Sequence, residues 1–485
     1  MKYLPTIAIV LFLFCFGTCD ALAKPVAPAA FCKVYPDSKT CEGGPPPCTL
    51  CHSIAPARNT FGTQLSEHLA PGKPRPVTDE AFLAALPAAL KAIEQADADG
   101  DGVNNLAEIM AGALPGDANS VPIEATCSAA EKVAAAKERW NVCGFDTVYV
   151  YRKVHMDFCG VSPSRAEMAA FAKISHDRKR WEPELASALD QCLASRYWLG
   201  KDGVVWNLAN PKIKPIDSVK AGANAGPVPL ADYEYDYNLF VWANSGDRDV
   251  RDLLLAQYFV KRVSDDPPKL QVMTEEELAA LKMPNGQNVI KEKRVGMLTT
   301  RWFLTANTMF TAIPRTAAAQ AFRAYLGYDI AHMEGLHPVE GQPAEFDRKG
   351  VTAQTCAFCH STLDPMTYPF TRYNGIYMTN FAPTRLDNFV KVDGADIVKT
   401  PEKGVILGHE VKDLLELANV AAQSEDFARK VTRDYWKLLI GREPQPQDQR
   451  EYGAMWRGLM DPKVYNYRVG AMLHGLVLTE AYGRP

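Results

Sequence analysis

Cys48-Thr49-Leu50-Cys51-His52, near the start of the chain, and Cys356-Ala357-Phe358-Cys359-His360, in its last third, are one pattern, C-x-x-C-H, in different surroundings. Two thiols at this spacing fall on one side of a helical turn. There they can add to the two vinyl groups of a haem, and the adjoining imidazole is delivered to the iron as proximal ligand. A bare C-x-x-C would also suit a zinc knuckle or a thioredoxin-like redox pair. Zinc needs a second ligand pair nearby, and a redox pair needs a strand–helix–strand setting. Neither flank supplies one. The pattern predicts two covalently bound haem c groups, one on Cys48, Cys51 and His52 and one on Cys356, Cys359 and His360. His52 and His360 are the expected proximal iron ligands.

Upstream of the first motif, Lys2 and the apolar run 7–16 precede Ala21-Leu22-Ala23. A short positive start, a brief apolar stretch and a small-x-small site read as a secretory signal over residues 1–23. The run is too short for a membrane-spanning helix. The expected location is periplasmic or secreted; lipoprotein anchoring through Cys19 is the weaker alternative, because Phe16-Gly17-Thr18 makes a poor lipobox. No later segment approaches transmembrane length. Of the twelve cysteines, Cys15 and Cys19 lie in the signal and four in the motifs. Cys32, Cys41, Cys127, Cys143, Cys159 and Cys192 remain, an even set that suggests disulfides in an exported chain. Proximity favours Cys32–Cys41, Cys127–Cys143 and Cys159–Cys192.

Downstream of the first motif, residues 97–108 read DADGDGVNNLAE and fit an EF-hand calcium loop. Asp97, Asp99 and Asp101 alternate as the first carboxylate ligands, and Gly102 makes the sharp turn. Val103 offers its carbonyl, Asn105 follows, and Glu108 closes the site with both oxygens. Three carboxylates so close repel unless a cation lies among them. A single loop rather than a sensor pair points to one structural Ca2+.

The whole chain has 485 residues, 47% apolar, with a net charge of −4. Removing residues 1–23 takes away one charge of each sign, Lys2 and Asp20, so the balance is unchanged. A charge so small and mixed argues for no nucleic-acid partner. Helix-like apolar spacing recurs at 80–97, 129–140, 164–174, 183–197, 249–263, 317–326, 410–420 and 426–440. The best strand candidate is 389–398, and 207–230, rich in Pro, Gly and Ala, reads as a linker or surface loop. The expected fold is mainly α, with cytochrome-c-like haem domains, long loops and a helical middle region. Its expected divisions are 1–23 signal, 24–120 haem and calcium-loop domain, 121–230 middle region and linker, and 231–485 helical haem domain.

In several blocks from about Val148 onward, RKVHMDFCGVSPSRAEMAAF at 152–171 and CAFCHSTLDPMTYPFTRYNG at 356–375 foremost, the chain resembles the planctomycete-type cytochrome c proteins, also found in myxobacteria. Residues 152–171, RKVHMDFCGVSPSRAEMAAF, are similar to that family's R-x-L-x-L-D-L-x-G-x-P-P-T-x-x-E-x-x-A-F segment. Residues 189–197, 251–258, 296–299 and 439–442 resemble further blocks. The most specific likeness is 356–375, CAFCHSTLDPMTYPFTRYNG, set against C-A-S-C-H-x-x-x-D-P-x-G-F-x-x-E-x-F-D-x-x-G. Asp364-Pro365 is retained there, while Tyr368-Pro369 and Tyr373-Asn374 depart from the pattern. The N-terminal haem motif with its calcium loop looks like a module of myxobacterial surface and periplasmic proteins. The resemblance implies haem binding and export and names no substrate.

A haem with both axial positions filled by protein passes electrons, whereas one with an open position can do chemistry. For the first haem the distal candidates are Met110, just past the calcium loop, and His68. For the second they are Met297, Met366, Met378, His332, His337 and His409. His155 and His474 lie in apolar helical stretches and read as core residues. The expected function is an exported dihaem c-type cytochrome that transfers electrons to redox partner proteins in the periplasm or at the cell surface, alone or within a larger redox assembly. The alternative is a dihaem oxidoreductase of peroxidase or MauG-like type that uses the C-terminal haem. Those enzymes also combine calcium with two c-haems, but in them the two motifs lie closer together than His52 and His360 do.

Overall fold

A computed structural model describes residues 24, 26–42, 44–54, 57–69, 71, 77–120, 122, 144–287, 289–308, 313–375, 381 and 400–485. The expected signal at 1–23, Cys127, Cys143, Met378, the helix expected at 129–140 and the strand expected at 389–398 lie outside these residues. The protein is mainly helical, 55% helix against 6% strand. Its strands form three two-stranded antiparallel ribbons among the described residues. The chain divides into two compact units, residues 1–41 with 45–120, and 42–44 with 121–485.

In the first unit the longest helix is Asp79–Ile93. Thr78 caps it by accepting from the Ala81 N–H, and Asp79 and Glu80 place negative charge at its positive end. Phe82, Leu86, Ala89, Leu90 and Ile93 recur at helical spacing and are buried. They pack with Phe31, Leu50, Phe61, Leu65 and Ile109 in one cluster. A Cys32–Cys41 disulfide ties the helix Ala27–Val34 to the turn that follows it. Beside that turn the Thr40 hydroxyl donates to the Ile109 carbonyl at 2.7 Å.

In the second unit, residues before and after 230 share one core, which includes Trp198, Trp206, Tyr237, Trp302, Tyr435 and Trp436. The stretch read as a linker contributes to it. Within 207–230 the short helix Asn210–Ile213 buries Ile213 and Lys212, and Ala221 is fully buried. Lys212 Nζ donates to the Ala324 carbonyl and to Asp434 Oδ2, each at 2.7 Å. The helix Thr147–Val154 widens into a π turn, His155–Cys159, and Cys159 is disulfide-bonded to Cys192 on the helix Arg178–Leu193. Two of the three favoured cysteine pairings are therefore present.

The apolar stretch 249–263 is helical only at Asp252–Leu255. Val260–Asp265 instead pairs with Pro268–Val272 as a β-hairpin. Pro267 and Pro268 cannot continue a helix, and β-branched Val260 and Val263 suit an extended chain. Similarly, residues 409–411 form a strand, and the expected helix starts at Leu414, capped by Asp413. No helix among the described residues is long and apolar enough to cross a membrane.

Candidate haem-attachment and calcium sites

The two motifs have different local structures. Cys48–Leu50 is a single 3-10 turn closed by the Cys51 N–H on the Cys48 carbonyl, and Leu50 is its buried anchor. His52 then begins a short strand, His52–Ile54, paired with Ala57–Arg58. Asn59 clamps the turn: its Nδ2 donates to the Thr49 and Leu50 carbonyls, both at 3.1 Å, while Oδ1 accepts from the Gly62 N–H at 2.8 Å. Gly62, in the helix Thr60–Leu69, lies directly against the Cys51 backbone, where a Cβ would come within 1.9 Å of its carbonyl oxygen.

The second motif lies within the helix Gln354–Thr367, so Cys356, Cys359 and His360 share a face at helical spacing. Ser361, Thr362, Asp364, Pro365 and Met366 are buried on the same helix. His360 Nδ1 donates to Asp364 Oδ1 at 2.8 Å. Asp364 is 0% exposed and accepts from Arg315 twice, from Nε at 2.7 Å and Nη2 at 2.9 Å. The same guanidinium donates to Asp347 through Nη1 at 2.6 Å and Nη2 at 3.2 Å. Burial works to lower the Arg315 pKa, but the two carboxylates raise it by more, so the group stays charged. The segment carrying Asp347 is pinned to the motif helix and the turn after it, with the Val339 N–H on the Ser361 carbonyl, the His337 N–H on Thr362 Oγ1, and the Tyr368 hydroxyl on Gln342 Oε1.

Several observations bear on what the motifs hold. Cys48, Cys51, Cys356 and Cys359 stand outside the disulfides, whereas Cys32, Cys41, Cys159 and Cys192 are joined. Burial, with Cys48 beside it, pushes the Cys51 thiol up to about 12, and burial with Cys356 beside it also raises Cys359. A dithiol redox centre needs the opposite, a stabilised thiolate. Among the described residues neither pair belongs to a cluster of three or more His, Cys, Asp or Glu ligands, as zinc requires. At the second motif, hydrogen bonding of Nδ1 leaves Nε2 as the ring nitrogen available to iron. The half-buried Cys359 lies beside exposed Cys356 and Phe358, which is 38% exposed. This donor set fits a thioether-linked haem.

The distal candidates separate by burial. Met110 is 41% exposed on the helix Asn105–Ala111, and His68 is exposed on Thr60–Leu69, both in the unit of the first motif. Met297 and Met366 are each 2% exposed and packed in the apolar core, where they act as filling. His332, His337 and His409 are exposed. His155 and His474 are half-buried rather than core residues. His155 Nδ1 bonds to the Tyr151 carbonyl and His474 Nε2 to Asp190, at 2.9 and 2.8 Å.

In the acidic loop that begins at Asp97, carboxylate oxygens of Asp97, Asp99 and Asp101 lie within 4.8 Å of one another, close enough to hold a metal ion. These carboxylates also shape the loop. Asp97 accepts from the Gly100 and Gly102 N–H groups at 2.7 and 2.9 Å, Asp99 from Asp101 at 3.3 Å, and Asp101 from Val103 at 2.8 Å. Gly102 has φ +94°, a left-handed turn that favours glycine. Asp99 Oδ2, Asp101 Oδ2 and both Glu108 oxygens are buried without a hydrogen-bond partner. Glu108 is 0% exposed. Burial, then the charges of Asp99, Asp101 and Asp97, push its carboxyl up to about 8. Four orphaned oxygens of three acids are costly in a metal-free chain and suit a hard cation. Asn105, expected among the ligands, is turned to the backbone instead: Oδ1 accepts from the Ala98 N–H at 3.2 Å and Nδ2 donates to the Ile93 carbonyl at 2.7 Å.

No family model, curated protein or solved structure matches the chain.

Proposed function

We propose that the chain is an exported dihaem c-type cytochrome, of the planctomycete and myxobacterial type, that carries electrons between redox proteins in the periplasm or at the cell surface. The observation that carries this reading is the chemistry of the second motif. Cys356 and Cys359 are unoxidised thiols on one helical face, and the adjoining His360 has Nδ1 hydrogen-bonded and Nε2 to spare. Cys48, Cys51 and His52 repeat the donor set in the other unit.

Bound haem would supply one-electron redox chemistry, and the tasks left to the chain are attachment, orientation and tuning. The four cysteines would anchor the two rings as thioethers. His52 and His360 would be the proximal ligands, and Met110 is the candidate distal ligand at the first haem. A structural calcium on Asp97, Asp99, Asp101, the Val103 carbonyl and Glu108 would fix the loop immediately before the helix that carries Met110.

The alternative, a dihaem oxidoreductase of peroxidase or MauG-like type, draws on one observation, the Asp364 carboxylate on His360, because an electron-rich proximal imidazole also suits peroxide chemistry. Carbon monoxide separates the two readings. A carrier with both irons six-coordinate shows no spectral change when the reduced protein meets carbon monoxide at neutral pH. Stoichiometric binding at one haem, with rapid peroxide consumption by the half-reduced protein, would overturn the carrier reading.

A further inference from the structure

We infer that Asp364, braced by Arg315 and Asp347, is a positioning residue for the second haem that holds the His360 ring with Nε2 toward the iron and lowers the midpoint potential there. The inference deepens the proposed function and rests on its reading of His360 as an iron ligand.

Asp364 lies one helical turn beyond His360 on the helix Gln354–Thr367, so the Nδ1–Oδ1 bond of 2.8 Å holds the ring close to the helix surface. A carboxylate that is 0% exposed beside an imidazole would be an uncompensated buried charge without a cation. Arg315 is that cation, and it grips both Asp364 oxygens, at 2.7 and 2.9 Å, in the two-pronged geometry that fixes a carboxylate plane. Asp347 in turn holds the outer edge of the guanidinium, at 2.6 and 3.2 Å. The carboxylate facing His360 is thus immobilised from behind by residues in two other segments.

The electrostatic sign follows. Two carboxylates and one guanidinium leave this chain of groups with net negative charge, and its Asp364 end faces the imidazole. A carboxylate accepting from Nδ1–H makes Nε2 a stronger donor. Haem held here would gain one positive charge on giving an electron to a redox partner, and the negative chain would favour that state. No proton need leave, because Nδ1–H remains bonded to Asp364 throughout. The potential at this haem is therefore held below the value that a neutral partner on Nδ1 would give.

The test is a potentiometric titration of the full haem-loaded chain, in which the two haems give two waves. Asp364→Asn keeps the shape and a hydrogen-bonding oxygen but removes the charge, so one wave should move to higher potential and the other stay. Asp347→Asn, one link further out, should move the same wave in the same direction by less. If Asp364→Asn does not fold or does not retain two haems, Asp347→Asn carries the test alone. Waves that do not move, that move together, or that fall to lower potential would overturn the inference. A wild-type chain without two attached haems is a different failure, that of the functional reading itself.

Discussion

Gly62 meets Cys51 backbone to backbone: a Cβ on Gly62 would lie 1.9 Å from the Cys51 carbonyl oxygen and 2.9 Å from its carbonyl carbon. The contact joins the helix Thr60–Leu69 to the first C-x-x-C-H turn, and neither partner is a flexible side-chain end. Gly62→Ala must push the helix away from the turn, and overpacking of this kind costs about 1–3 kcal/mol. The melting transition of the first unit should fall accordingly, while the second unit, which holds its own core, melts as before. An unchanged first transition would show that the helix does not seat against Cys51.

Glu108 ends the calcium loop with two buried oxygens that have no hydrogen-bond partner. A cation that binds only the folded chain stabilises it, by about 2.7 kcal/mol at a hundredfold excess over Kd. Calcium should therefore raise the melting temperature of the wild type, and chelation should lower it. Glu108→Gln should lose most of that increment, because it removes a charge and the bidentate site. In chelator the variant should be at least as stable as the wild type, since it also removes a buried repulsive carboxylate. Wild-type melting that ignores both calcium and chelator would reduce the loop to a turn.

Lys430 and Lys212 share one half-buried carboxylate, Asp434. Burial, then the Lys212 charge, pulls the Lys430 amine down to about 8 from its usual 10.5. Between those values the unfolded chain holds a proton that the folded chain has released, so stability contributed at this site rises with pH across that window. The full rise is on the order of 3 kcal/mol. Lys430→Met should abolish it, so the stability difference between wild type and variant should change in the wild type's favour from pH 8 to 10.5. A difference that stays flat across that range would mean that Lys430 is ordinarily solvated.

The legible parts of the chain are those whose chemistry is local in sequence. Cys356, Cys359 and His360 share one face of the helix Gln354–Thr367 because positions three and four apart coincide there, and Asp97 to Asn104 turn back on themselves through alternating acids and Gly102, ahead of the helix that carries Glu108. The Cys32–Cys41 and Cys159–Cys192 bonds follow proximity. What distance in sequence hides is the support. Arg315 and Asp364 are separated by 49 positions, and nothing in the surroundings of Arg315 marks it as the partner of a histidine's carboxylate. Asp364 was visible as a neighbour of the motif, whereas its role depends on that distant guanidinium. Asn59 and Gly62 flank a motif whose cysteines draw the eye, although Asn59 binds the turn and Gly62 admits the helix. Met297 and Met366 show the converse: methionine suits iron and core packing equally, and only burial separates the two uses. The hairpin Val260–Val272 is hidden in the sequence because its first strand continues an apolar run begun by a helix, and the prolines that interrupt it come only at its turn.

The central claim, two thioether-linked haems on one chain, is tested most directly by an alkaline pyridine spectrum of the purified mature protein, with acid-acetone extraction alongside. The account predicts two c-type haems per polypeptide and none extracted, and one poorly attached haem after either Cys51→Ala or Cys359→Ala. A stoichiometry of one or none, or haem that leaves with the solvent, would contradict it.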